Sequence, residues 1–421
     1  MYALVDVNNM YCSCERVFNP KLIGKPMVVL SNNDGCVISR SNEAKALDIK
    51  MGAVAHLLEK TFKQNNVHVY SSNYALYGDM SERLMQILAD FTPDVEIYSI
   101  DEAFLQFKGY DRYDLENFGR KIKRTVLQCT GLPISIGIAP TKALAKVANK
   151  IAKKFDSKTG GVYLIDNEQK RVKALTWLKV EDIWGIGRRN ARKLNRYGIT
   201  KAIQFTDTHD SWVKKEFTIV GLRLKKDLQG IPTLSLDEIG NKKSIAVTRS
   251  FAKMKTDLSD LKEIIASYAC VASEKLRIQK SSCNLIMIFI HSNPFRKDLK
   301  QYSNSLVVKL PYATNSSLII ARYARKAIEQ IYKKGYEFKK AGIVVMGLVP
   351  EAVQQLNMFE ACNADHKILM STIDNLNAKY GKNTLNIASQ KLDSAWAMRQ
   401  QYLSPKYTTD FKDIIIVNCN F

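Results

Sequence analysis

Residues 98–104 read YSIDEAF, which sets Asp101 and Glu102 side by side at the end of an alternating apolar run. The chain opens on a similar run, MYALVDV at 1–7, and that one carries another acid, Asp6. Apolar runs of this kind mark strands, and two such strands laid side by side would bring three carboxylates to one end of a sheet. Oxygen-only sites suit Mg2+, which keeps several waters and shares its shell with substrate phosphates. Phosphoryl transfer is therefore the first chemistry the pattern points to. Taken alone, Asp101 and Glu102 read more readily as a hairpin turn, because acidic residues favour such ends; Asp6 and the basic surroundings shift the balance to the metal.

A chain of 421 residues exceeds one ordinary core and implies roughly two to four domains. Lys and Arg number 63 against 41 Asp and Glu, a formal charge of +22 spread along the whole chain. A polyanionic partner follows. The longest apolar runs, Leu285 to Ile290 and Ile343 to Val349, fall far short of the ~20 residues a spanning helix needs, which argues against a membrane. The N-terminus reads directly as a strand, with no secretory or transit signal, so a soluble intracellular protein is expected. Eight cysteines, at 12, 14, 36, 129, 270, 283, 362 and 419, form neither a disulfide framework nor a CxxC pair. Reduced thiols are expected, and Cys12 and Cys14 lack the second pair or nearby His that a tetrahedral zinc needs.

Strands are expected at Tyr2 to Val7, Pro26 to Leu30, Val67 to Tyr70, Val95 to Ile100, Phe104 to Phe107 and Ile134 to Ile138. Helices fall between them, at Ala75 to Phe91, Tyr113 to Gln128 and Lys142 to Lys154. Strands alternating with helices argue for an α/β layer. Residues 174–235 read as helical and polar, followed by a charged linker around Asp237 to Lys243. A further unit over 244–348 reads strand, helix, strand, strand, helix, strand, a small α/β sandwich. Past Pro350 the periodicity weakens.

The stretches DVNNMYCSCERVFNP (6–20), GKPMVVLSNNDGCVISRSNEAKALDIKMG (24–52), YSIDEAF, ISIGIAPTKALAKVANKIAKK (134–154) and WGIGRR (184–189), in this order, resemble the Y-family translesion DNA polymerases. The resemblance runs to LSPKYTT at 403–409. It implies an α/β multidomain right hand: a ferredoxin-like palm over 1–10 and 76–165, small fingers over 11–75, a helical thumb with a helix-hairpin-helix over 166–240, an α/β little finger over 244–348, and a C-terminal tail over 349–421 that binds the clamp and other partners. The implied activity is error-prone extension of a primer opposite damaged template, in the SOS response. The implied place is the cytoplasm, on the nucleoid.

Carried onto this chain, the resemblance assigns Asp6, Asp101 and Glu102 to two catalytic Mg2+ ions, with the Val7 carbonyl as a main-chain ligand. Tyr11 matches the family's steric gate, whose ring would lie against C2′ of the incoming sugar; an ordinary packed tyrosine is the alternative. The triphosphate motif YEAR stands here as Asn42-Glu43-Ala44-Lys45, with Lys153 as the downstream lysine. Asn42 replaces an aromatic hydroxyl, and Lys45 is a point charge without the fork of a guanidinium. Ser39 and Arg40 stand close enough in sequence to compensate.

EDIWGIGRRNARKLNRYGI (181–199) reads as helix, glycine turn, helix. Gly185 and Gly187 would admit a phosphate, with Arg188, Arg189, Arg192 and Lys193 around it, gripping backbone rather than bases. The other reading is a glycine cap between two packing helices. The little finger would add Arg249 and neighbouring lysines to the DNA contact. Gln355, Leu356, Met358 and Phe359 resemble a sliding-clamp peptide, which would otherwise be a packed apolar turn. Primer-template DNA, dNTP, a sliding clamp, a processed UmuD-like dimer and a RecA filament are the implied partners. Two other function classes fit the same residues: a non-catalytic DNA-binding scaffold that recruits the clamp, and a metal nuclease.

Overall fold

A computed structural model describes residues 1–237, 240–352, 365–390 and 398–416. The chain divides into two units, Met1–Glu238 with Gln400–Phe421, and Ile239–Arg399.

The first unit begins with β1 (Tyr2–Val7), α1 (Met10–Phe18), β2 (Met27–Leu30), β3 (Val37–Arg40), α2 (Asn42–Ala46), α3 (Glu59–Gln64), β4 (His68–Ser71) and α4 (Tyr74–Ala89). Next come β5 (Val95–Ile97), β6 (Glu102–Gln106), α5 (Leu115–Thr130), β7 (Ile134–Ala139), α6 (Lys142–Lys154), α7 (Asp156–Thr159) and β8 (Val162–Leu164). Four helices follow: α8 (Glu168–Trp177), α9 (Arg188–Arg196), α10 (Ala202–Thr206) and α11 (Asp210–Leu228).

β1 is the centre of a five-stranded sheet ordered β5-β6-β1-β7-β8, and every one of its residues is buried. Its odd-numbered side chains, Ala3, Val5 and Val7, enter a core with Leu84 and Leu88 of α4 and Ile122 and Val126 of α5. Tyr2 and Leu4 enter the opposite core, with Leu144, Ala148 and Ile151 of α6. Burial on two faces explains why the strand reads apolar almost throughout, and each fully buried Leu or Ile contributes roughly 1.5–3 kcal/mol. Helix α6 lies hard against β7: a Cβ on Gly137 would stand 2.0 Å from the Asn149 amide nitrogen and 2.3 Å from the Ala145 carbonyl oxygen. Only glycine permits that approach. Asn149 completes the contact by donating to the Ser135 and Leu4 carbonyls at 2.7 and 3.2 Å.

A second, three-stranded sheet, β3-β2-β4, closes over Val28, Leu30, Val37, Ala44 and Phe62. Its β3, and β8 at the edge of the first sheet, are four and three residues long and were not expected from the sequence. Where the sequence suggests one strand from Val95 to Ile100, β5 stops at Ile97. The Tyr98 and Ser99 amides then turn back onto the Glu102 carbonyl at 3.0 and 3.1 Å.

The second unit holds β9 (Ile245–Lys255), α12 (Leu258–Ile278), β10 (Ser281–Ser292), β11 (Ser303–Thr314), α13 (Ser317–Ile331), β12 (Phe338–Pro350) and α14 (Asp365–Tyr380). Its antiparallel sheet runs β11-β10-β12-β9. Ile264 and Leu276 of α12 and Ile320 and Ile328 of α13 join its core. The order of elements is the one the sequence suggests. The stretch beyond Pro350, read as poor in periodic segments, contains the sixteen-residue α14, which Arg277 ties down through both oxygens of Asp374 at 2.6 and 2.8 Å. The clamp-like peptide Gln355, Leu356, Met358 and Phe359 lies outside the described residues. Among the described residues no helix is long and apolar enough to cross a membrane.

Candidate active site

Two adjacent strand ends assemble the acids. In the antiparallel pairing of β1 with β6, Asp6 stands directly opposite Glu102, and the Val7 amide donates to the Asp101 carbonyl at 2.9 Å. Side chains alternate across a sheet, so Asp6 shares the face of Tyr2 and Leu4, and Glu102 that of Phe104. Both faces look toward α6. The acids do not end β5: Glu102 begins β6, and Asp101 sits in the turn before it. Ser99 builds that turn, accepting from the Asp101 and Glu102 amides at 3.3 and 3.1 Å and donating to Asp101 Oδ1 at 2.5 Å.

Helix α6 answers the acids with cations on one face. Lys153 bonds Asp6, and Lys146 bonds Glu102 at 2.9 Å. Lys146 is also framed by aromatic rings, 4.4 Å from the Tyr98 centroid and 5.5 Å from that of Trp184, whose indole N–H donates to the Tyr98 hydroxyl at 3.0 Å. Burial pushes the Asp6 carboxyl up to about 7; Lys153 opposes that shift, and a hydrogen bond shared with Glu102 adds to it. Two carboxyls that close demand a cation or a shared proton. Lys150 and Asp182, paired at 2.7 Å, help close a cleft of about 320 Å3 bordered by Asp6, Glu102, Lys146, Lys153 and Trp184.

The donor set is hard oxygen throughout, which suits Mg2+. Among the described residues, however, no group of three or more His, Cys, Asp or Glu is disposed to hold an ion. The side chains explain this: lysines engage Asp6 and Glu102, and Ser99 holds Asp101. The residues fit the ion chemically, with ammonium groups supplying the neutralising charge.

The residues expected to contact the nucleotide form a second cluster around the starts of α1 and α2. Asn9, in the left-handed region at φ 52°, precedes α1 and donates to Asn42 Oδ1 at 3.1 Å. Lys45 donates to Asn9 Oδ1 at 2.6 Å and to Asn42 Oδ1 at 3.4 Å. Burial pulls the Lys45 ammonium down, and the positive charges of Arg40 and Lys153 pull it further. Lys45, Arg40 and Lys153 thus share one corner of positive potential that an anion would relieve. Ser39 is buried, its hydroxyl at 3.4 Å from both the Cys12 amide and the Asn9 carbonyl. Tyr11 is half-buried; its ring stacks on Tyr77 at 4.4 Å and meets the Tyr74 ring edge-on at 6.0 Å.

At the glycine turn Gly185 adopts φ 89° and Gly187 caps α9 without a side-chain bond. A Cβ on Gly187 would meet nothing. Arg188, Arg189 and Arg192 are exposed there, whereas Lys193 is engaged with Glu216. The expected helix before the turn is a single 3-10 turn, Val180–Asp182. In the second unit Arg249 shares the strand face of Ile245, Val247 and Phe251, and its guanidinium lies 5.9 Å from the Tyr268 ring on α12.

Asn9, Ser99, Lys146 and Trp184 are among the contributors that had no role in the sequence reading. Lys146 alone had a sequence signal, since it lies seven residues before Lys153 and so on the same helix face.

Residues 5–150 match the impB/mucB/samB family and residues 242–358 its C-terminal domain; residues 367–417 match a domain of unknown function, DUF4113. The chain is similar to Protein UmuC of Salmonella typhimurium, 42% identical over 99% of this chain and 100% of that one. Protein SamB of Salmonella typhimurium is 39% identical over 98% of this chain and 99% of its own. Among solved structures, a Y-family DNA polymerase chimera of Dbh and Dpo4 shares the fold with a TM-score of 0.67 and 22% identity, over 83% of this chain and 99% of the chimera.

Proposed function

The chain belongs to the impB/mucB/samB family and is a translesion DNA polymerase of the Y-family fold; from that premise we propose that Asp6, Asp101 and Glu102 are the centre at which it joins a deoxynucleotide to a primer 3′-hydroxyl opposite damaged template. The register of Asp6 against Glu102 carries the proposal, because it gathers acids from distant stretches of chain onto one face beneath α6. When bound there, two Mg2+ ions, with the Val7 carbonyl as a further ligand, would activate the attacking hydroxyl and stabilise the departing pyrophosphate.

The chain's own residues supply the rest. Lys45, Arg40 and Lys153 hold the triphosphate, Lys153 and Lys146 exchanging their carboxylate partners as the site fills. Asn42 and Ser39 set the position of Lys45 and of the start of α1. Tyr11 presents its ring to the sugar and excludes a 2′-hydroxyl. Gly185, Gly187, Arg188 and Arg189 grip the phosphate backbone, and Arg249 belongs to the unit that follows the duplex. In this reading residues 1–10 and 76–165 are the palm, 11–75 the fingers, 166–240 the thumb, 244–348 the little finger and 349–421 a partner-binding tail. That tail would take a sliding clamp through Gln355, Leu356, Met358 and Phe359, and a processed UmuD-like dimer and a RecA filament complete the proposed assembly on the nucleoid.

The test is single-nucleotide incorporation with Mg2+ on a primed template carrying an abasic site. Asp101→Ala and Glu102→Ala should abolish incorporation while DNA binding and fold persist. Full activity in either folded variant would remove the acids from the mechanism. DNA binding without incorporation by the wild-type chain would favour a scaffold, and template degradation without dNTP a nuclease.

A further inference from the structure

The last described stretch of chain returns to the first unit and is bonded into the fingers and α4. Its Tyr402 exchanges two hydrogen bonds with Ser71, the final residue of β4: the Ser71 amide donates to the Tyr402 carbonyl, and the Tyr402 amide to the Ser71 hydroxyl, each at 2.9 Å. Asp34 accepts from the Gln401 amide at 2.9 Å and from the Ser71 hydroxyl at 2.6 Å. Tyr407 stacks on Phe18 at the end of α1, with centroids 4.8 Å apart and rings 7° from parallel.

Ser404 sits at the middle of this stretch and is buried. Its hydroxyl donates to Glu15 Oε1 at 2.9 Å, the same oxygen that accepts the Tyr77 hydroxyl at 2.7 Å. Glu15 is 1% exposed, so its carboxylate depends on those two donors; burial pushes its carboxyl up, and Tyr77 and Ser404 oppose the shift. A buried charge left with fewer donors is costly. Ser404 also accepts from Asn73 Nδ2 at 3.0 Å, and Asn73 Oδ1 caps α4 by accepting from the Leu76 amide at 3.3 Å. The stretch therefore holds the first turn of α4 at two points. That turn carries Tyr74 and Tyr77, the two rings against which Tyr11 rests.

We propose that residues 400–407 are a strap that positions Tyr11 through the series Ser404, Glu15, Tyr77, and so sets the discrimination between deoxyribonucleotides and ribonucleotides. The inference rests on Tyr11 lying at the sugar, and it makes Ser404, Glu15 and Tyr77 positioning residues. With the carboxylate short of one donor, the Tyr77 ring loses its anchor and the Tyr11 ring its fixed backing. The gate then yields to a 2′-hydroxyl.

The experiment measures kcat/KM of the full-length chain for one deoxynucleotide and for the matching ribonucleotide, and takes their ratio, which does not depend on the fraction of chain that is folded. Ser404→Ala should lower the ratio by roughly three- to tenfold, part of what one hydrogen bond to a charged group is worth. Tyr77→Phe, which keeps the ring and removes the donor, should lower it likewise, and Ser404→Thr, which keeps a hydroxyl, should preserve it. Unchanged ratios in both Ser404→Ala and Tyr77→Phe, alongside a Tyr11→Ala chain that does admit ribonucleotides, overturn the strap alone. A Tyr11→Ala chain with an unchanged ratio overturns the sugar-side reading of Tyr11 and the strap with it.

Discussion

At the start of α6, Lys142 reaches both oxygens of Glu96 at 2.7 and 2.9 Å, with only 3% and 6% of the two side chains exposed. At the other end of the same helix Lys153 meets Asp6 with 34% of the lysine side chain still in water. The sealed pair is further enclosed, since Glu96 accepts from the Asp237 amide at 2.7 Å and Lys142 donates to the Ser235 carbonyl at 3.3 Å. Removing one partner of such a pair strands a buried charge, at about 3–5 kcal/mol. Solvent-exposed pairs are worth about 0–1 kcal/mol; the Lys153 pair lies between the two cases, because Asp6 keeps only 12% of its side chain in water. One helix thus seals its first lysine inside the fold and leaves Lys153 partly in water, where the proposed triphosphate contact would need it.

The largest expected effect lies at the sealed end. Glu96→Ala should destabilise the first unit by about 3–5 kcal/mol in urea unfolding, with incorporation per folded molecule unchanged. At the open end Glu102→Gln should invert the pattern: incorporation falls by on the order of a hundred- to a thousandfold, with the unfolding midpoint close to wild type. Lys153→Met and Lys45→Ala should each raise the nucleotide KM by about tenfold, the scale of one charge-assisted hydrogen bond, and Lys45→Arg should lower it by restoring a forked donor. Smallest of all, Arg188→Ala and Arg189→Ala should weaken DNA binding evenly across sequences. Each should reduce the slope of log affinity against log salt by about one.

Much of this was legible in the residues. The apolar run MYALVDV placed Asp6 on a strand. The second unit's order of elements came through because its strands run to eleven residues and more. YSIDEAF misled on one point. Its apolar pattern continues through Tyr98 and Ile100, yet Ser99 folds the chain into a turn there, and a serine hydroxyl bonding to nearby backbone leaves no periodic trace. Lys193, read with the arginines as surrounding a phosphate, is instead engaged with Glu216.

The sequence by itself determined which faces of the strands and helices are apolar, where the acids sit along the chain, and that the molecule is strongly basic, because periodicity and charge are properties of short stretches. Only the tertiary structure decided which lysine meets which acid, and that a serine near the end of the chain bonds a glutamate near its start. Those choices depend on how closely packed elements approach one another, as α6 does over Gly137. No local pattern records a distance between stretches that meet only after folding.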